Sequence, residues 1–72
     1  MIKKFKMINL ECAHCAAKME REIKKLDGVN DASVNFILQR MTVDFKEEDF
    51  SAVVGNIEKV CKKIEPDCVV KV

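Results

Sequence analysis

An α+β sandwich, with four antiparallel strands and two helices on one face, is the fold this sequence predicts. Three observations carry that reading. Apolar residues alternate at period two in four short segments. They recur at helical spacing in two longer ones. These segments follow one another as β-α-β-β-α-β, which assigns residues 1–72 to a single domain.

The first strand spans Lys3 to Leu10. Phe5 and Met7 point one way and Lys4 and Lys6 the other, as a half-buried strand requires. The pattern then changes at Cys12-Ala13-His14-Cys15. Ala16, Met19, Ile23 and Leu26 share one helical face, so the second cysteine is expected to open a helix that runs to Leu26. Glu20 and Lys24 stand four apart on its outer face, a favourable ion pair. Asp27-Gly28 ends the helix, with Gly28 as the expected left-handed cap.

Val29 to Phe36 reads as the second strand, with Ala32, Val34 and Phe36 inward. Ile37 to Gln39 is a short connection, and Arg40 to Phe45 the third strand. Lys46-Glu47-Glu48-Asp49 is a charged turn whose last residue is a plausible N-cap. Phe50, Val53, Val54, Ile57, Val60, Cys61 and Ile64 then form one helical stripe. Gly55 weakens that helix by about 1 kcal/mol relative to alanine, and Pro66 ends it. Cys68, Val70 and Val72 alternate with Asp67, Val69 and Lys71 in a last short strand.

This order is the split βαβ, or ferredoxin-like, arrangement. Right-handed crossovers place the third strand between the first and the second. Following the chain directions, the cysteine loop, the 36–40 hairpin and the 62–67 connection all meet at one end.

Composition narrows the function. Thirteen basic and twelve acidic residues leave a net charge of +1, without the footprint of a nucleic-acid binder. There is no Trp or Tyr to stack on bases. No apolar run approaches the length of a membrane span, so the chain is expected to be soluble. Met1-Ile2-Lys3-Lys4 lacks the apolar core of an export signal. Four cysteines without such a signal suggest a reducing, cytoplasmic compartment in which thiols stay free.

The chemistry is concentrated at Cys12 and Cys15. Backbone N–H groups and the dipole at a helix start favour negative charge and raise the thiolate fraction. Thiolates are soft metal ligands and nucleophiles, so the pair suits soft metals or redox chemistry. Cys61 and Cys68 are separated by six residues, unlike Cys12 and Cys15, and fall on apolar faces. They are expected to pack as small hydrophobes. His14, between the cysteines, is expected to face solvent, as positions there generally do in the family described next.

Motif and element order together resemble the heavy-metal-associated domains, small metal-binding modules of metallochaperones and of the N-terminal tails of metal-transporting P-type ATPases. The resemblance spans essentially the whole chain. It rests on Leu10-Glu11-Cys12-Ala13-His14-Cys15-Ala16, on Ala17-Lys18-Met19-Glu20, on Leu26-Asp27-Gly28-Val29 and on Ala32-Ser33-Val34-Asn35-Phe36. Asn9 and Leu10 stand where the family usually has Gly and Met. By resemblance, Cys12 and Cys15 are metal ligands. Copper(I) domains of this family tend to carry Thr, Ser or His before the first cysteine, and zinc, cadmium and lead domains an acidic residue. Here that residue is Glu11.

Charge supports the distinction. Two thiolates leave Cu(I) net negative and a divalent ion neutral. A Glu11 carboxylate suits the divalent ion and adds a hard oxygen to a soft Cu(I). Zn(II) prefers four ligands, and Glu11, water or a partner's side chain would complete such a site. The reading is therefore one Zn(II), Cd(II) or Pb(II) ion, held by Cys12, Cys15 and Glu11 and passed on by ligand exchange. The implied partner is a transporting ATPase core or a metallochaperone, and the domain itself is a monomer and not an enzyme. The alternative is a Cu(I) metallochaperone or copper-ATPase domain. A thiol–disulfide oxidoreductase fits less well, since Pro66 follows a helix rather than entering a strand. Ile37 and Leu38 at the hairpin tip read as exposed and close to the metal, and Lys62 or Lys63 as cations able to neutralise an anionic site.

Overall fold

A computed structural model describes residues 1–71. Its elements are β1 (Ile2–Ile8), α1 (Ala13–Lys24), β2 (Val29–Asn35), β3 (Arg40–Phe45), a 3-10 turn (Glu47–Asp49), α2 (Phe50–Ile64) and β4 (Val69–Lys71). The expected βαββαβ sandwich is present. One sheet has the order β2-β3-β1-β4 with every pair antiparallel, so β3 lies between the first two strands as the crossover rule requires. Val72, placed inward in the last strand by its alternation, lies outside the described residues.

Alternation decides which face is covered. Phe5 pairs with Met41, Met7 with Val70 and Val34 with Met41, and these side chains point toward the helices. Ala16, Met19 and Ile23 of α1 and Val53, Ile57 and Cys61 of α2 meet them in one buried cluster. Among the described residues the core holds no buried charged residue. Lys3 occupies an inward position at the sheet margin, where its ammonium lies 5.8 Å from the Phe50 ring centre, close enough for a cation–π contact.

Four local expectations are corrected. The first helix begins at Ala13, not at the second cysteine, because the Cys12 sulfur itself caps it. It ends at Lys24, and Gly28 is not its cap. Gly28 instead closes the following turn at φ +86°, where the Val29 N–H donates to the Leu26 carbonyl at 3.2 Å. Asp49 precedes α2 but its carboxylate caps nothing. It lies against Gly28, where a methyl group would come within 2.9 Å of Asp49 Oδ2 and 3.3 Å of Val53 Cγ2. Lys24 pairs with Asp31 at 3.8 Å rather than with Glu20.

Gly28→Ala therefore combines a disfavoured left-handed backbone with a close contact. It should cost about 2 kcal/mol and lower Tm by roughly 8–16 °C for a domain of this size. Thermal denaturation by circular dichroism measures it, and an unchanged Tm would show that the turn relaxes freely.

Candidate metal centre

Leu10 is buried and anchors the chain just before the cysteine loop. Asn9, at φ 63°, turns the backbone out of β1 in a conformation that asparagine tolerates better than most residues. Cys12 is extended (φ −126°, ψ 117°), and α1 starts on it. The Cys15 N–H donates to Cys12 Sγ at 3.2 Å, and the Ala16 N–H to the Cys12 carbonyl at 3.0 Å. Cys12 is thus an N-cap made of sulfur, and both cysteines are half-buried free thiols.

The two sulfurs divide their charge unequally. Donation from the Cys15 thiol, then from the Cys15 and His14 backbone N–H groups, holds the Cys12 thiol below its ordinary value. That same contact, with desolvation and the charges of Cys12 and Glu65, pushes Cys15 up to about 11. Lys18 opposes this only weakly, as the last and sole lowering influence. Cys12 is therefore the sulfur that ionises first, with Cys15 still protonated beside it. Both lie at a helix start, where backbone donors favour an anion.

The neighbouring loops close in as the chain directions require. Gln39, at φ 52°, clamps the cysteine loop to the hairpin. Its Nε2 donates to the Leu10 carbonyl at 2.7 Å and to the Phe36 carbonyl at 2.8 Å. Its Oε1 accepts from the Leu10 N–H at 3.0 Å. From the other side, the Glu11 N–H donates to Glu65 Oε1 at 3.3 Å, and Asn9 Nδ2 to the Asp67 carbonyl at 3.4 Å. Glu65 Oε2 is buried with no hydrogen-bond partner, an arrangement that costs free energy unless something occupies it.

The expected residues sort clearly. Cys12 and Cys15 come together. Glu11 stands beside them with an exposed side chain, and His14 is also exposed. Cys61 and Cys68 are core residues, 0% and 1% exposed. Burial pushes the Cys61 thiol up to about 12, and also raises Cys68, with Glu65 adding to it. Ile37 and Leu38 stand out from the tip at 87% and 62% exposure. Lys62 and Lys63 are exposed and form no ion pair among the described residues. Also among the described residues, no three His, Cys, Asp or Glu side chains converge as a metal would require.

Sequence reasoning missed two residues of this site, Gln39 and Glu65. Gln39 lies 29 positions from Leu10, and nothing in a hairpin glutamine announces a clamp. Glu65 was open to discovery by position. It directly precedes the helix-ending Pro66, in a connection the topology already sends to the thiols.

Residues 4–64 match the sequence model of the heavy-metal-associated domain family. The chain is 39% identical over 64 residues, 86% of its length and 9% of the relative's, to a cadmium, zinc and cobalt-transporting ATPase of Bacillus subtilis (strain 168). It is 33% identical over 63 residues, 85% of its length and 8% of the relative's, to a copper-exporting P-type ATPase of the same organism. It thus spans less than a tenth of the length of these curated relatives. Among solved structures, the N-terminal domain of a potential copper-translocating P-type ATPase from Bacillus subtilis, in its Cu(I)-loaded state, superposes with a TM-score of 0.78. That match is 28% identical and covers 99% of this chain and 84% of the other.

Proposed function

Because this chain belongs to the heavy-metal-associated domain family, a family of metal-binding modules rather than catalysts, we propose that it carries one soft metal ion on Cys12 and Cys15 and passes it to a partner. The observation that carries the reading is the sulfur-capped helix start. It presents two half-buried sulfurs, one of them more easily ionised than an ordinary thiol, on a loop gripped by its neighbours. Transfer by ligand exchange suits so open a site, since an incoming thiolate can bind before either sulfur leaves. The receiving group is the core of a metal-transporting ATPase or a metallochaperone, in a cytoplasmic setting.

We favour a divalent ion, Zn(II), Cd(II) or Pb(II). Glu11 flanks the first cysteine, and Glu65 brings a second carboxylate to the same loop with one oxygen unpartnered. Oxygen donors suit a divalent ion that wants more than two ligands. One observation favours the alternative, Cu(I): among the described residues no third His, Cys, Asp or Glu joins the two sulfurs, and two sulfurs suffice for that ion.

The carboxylates decide between them. Glu11→Gln and Glu65→Gln should each be compared with the unchanged protein in anaerobic competition titrations, with X-ray absorption of each complex. Whichever carboxylate ligates should, when neutralised, weaken Zn(II) and Cd(II) by about 10–100-fold and leave Cu(I) nearly unaffected. Equal effects on all three ions would remove carboxylate ligation and favour Cu(I).

A further inference from the structure

The outer face of the sheet carries a charge arrangement that its stability does not explain. Arg40 of β3, Lys6 of β1 and Lys71 of β4 are direct cross-strand partners, in the register Lys6↔Arg40 and Lys6↔Lys71. Partners in an antiparallel ladder share a face, so Lys6 has a cation on either side, each about 5 Å away at the backbone. Lys4 lies two residues along on the same face. All four are exposed, and none has an ion-pair partner among the described residues. By contrast, Asp31 and Asp44, at the far end of this face, are each paired with a cation, Lys24 and the Met1 amine. Like charges placed directly opposite on neighbouring strands destabilise a sheet.

The row lies in the half of the face nearer the cysteines. Arg40 follows Gln39, whose side chain holds Leu10 at the entrance to the cysteine loop. Leu38, Arg40, Lys6 and Lys4 line one shallow depression. Exposed Leu38 and Val69 flank the row with apolar surface. The whole is a cationic strip with an apolar rim, beside the loop that presents the thiols.

We propose that this strip is a docking surface for an acidic patch on a partner protein. The inference rests on the carrier reading in one respect. A surface so close to Cys12 and Cys15 positions whatever covers it to receive the metal, and a protein supplies soft ligands where a lipid headgroup does not. Cations concentrated on one strip of a nearly neutral chain orient an encounter and raise its rate, more than they add affinity. The strip thus turns the thiol loop toward the receiving protein at first contact.

The test uses Lys6→Glu on the whole chain, with Lys59→Glu, an exposed cation on α2, as the control. Binding of a glutamate-rich synthetic peptide is followed by amide NMR shifts at low and high salt. Lys6→Glu should weaken it about tenfold, while Lys59→Glu leaves it nearly unchanged. Because Lys6→Glu places an anion between two cations, it should also raise Tm by roughly 3–8 °C. Weaker binding in a more stable protein separates a docking role from a structural one. Equal losses in both variants would overturn the proposal. So would tighter binding to phosphatidylglycerol vesicles than to the peptide, which would make the strip a membrane contact. A concentration-dependent dimer in sedimentation, abolished by Lys6→Glu, would assign the strip to a second copy of the chain and likewise overturn it. Metal uptake is scored separately. Its absence with peptide binding intact would overturn the carrier reading and leave the docking strip standing.

Discussion

Cys12→Ala and Cys15→Ala should each lower the affinity for Cd(II) or Cu(I) by more than about 100-fold, the scale at which merely supporting residues of metal sites act. The two losses should differ in their chemistry. Cys15→Ala leaves the Cys12 sulfur with its backbone N–H donors but removes the thiol that lowers it most, so Cys12 should ionise at higher pH than in the unchanged protein. Cys12→Ala removes the contact and the charge that hold the Cys15 proton, so the remaining thiol should ionise at lower pH than in the unchanged protein. In the unchanged protein at neutral pH, iodoacetamide should therefore alkylate Cys12 first.

The pH dependence has a definite sign. A metal ion must displace the Cys15 proton, which the free protein holds up to about pH 11. Cys12, held below its ordinary value, loses its proton at lower pH than its neighbour. Across the range where Cys12 is ionised and Cys15 is not, one proton leaves per ion bound. Affinity then rises about tenfold per pH unit. At lower pH a second proton must also leave, and the slope steepens. Competition titrations over a pH series measure this directly. A flat profile, or binding retained by the Cys12→Ala/Cys15→Ala double variant, would mean that the metal sits elsewhere.

What the sequence discloses here follows from the range of its signals. Strand alternation at Phe5 and Met7, or at Met41, Val43 and Phe45, is local and repeated, and the structure keeps it without change. The handedness of crossovers is global but obligatory, so the position of β3 was within reach. The start of α1 was misplaced because the first periodic apolar residue is Ala16, whereas the cap is a sulfur three positions before Cys15. Cysteine carries no general capping preference, so only the geometry assigns it that role. Gly28 was identified correctly as left-handed but attached to the wrong motif. The reason is its contact with Asp49 and Val53, which belong to a different part of the chain. The pairing of Cys12 with Cys15 was legible because they stand only three positions apart. The contacts of Gln39 with Leu10 and of Glu65 with Glu11 were not, because they join segments 29 and 54 residues apart.

The remaining thiols provide the strongest contrast. Cys61→Ala together with Cys68→Ala should cost about 2–4 kcal/mol of stability, each removing a fully buried sulfur from a packed core. The two costs need not add, because both sulfurs belong to one packed core cluster. The double variant should nonetheless bind one metal ion, with the affinity and pH slope of the unchanged protein. The physical reason is protonation. Burial holds the Cys61 thiol neutral up to about pH 12, and a neutral thiol is a poor metal ligand. Cys12 stands on a helix start with N–H groups aimed at its sulfur, and Cys61 sits in the last turn of α2, where no such donors converge. In one small domain, position relative to a helix end divides four identical side chains into two roles. Urea denaturation measures the first half of this prediction and anaerobic titration the second. A stoichiometry that changed on losing Cys61 and Cys68, in protein still shown to be folded, would place a second thiol site in the core and refute that division.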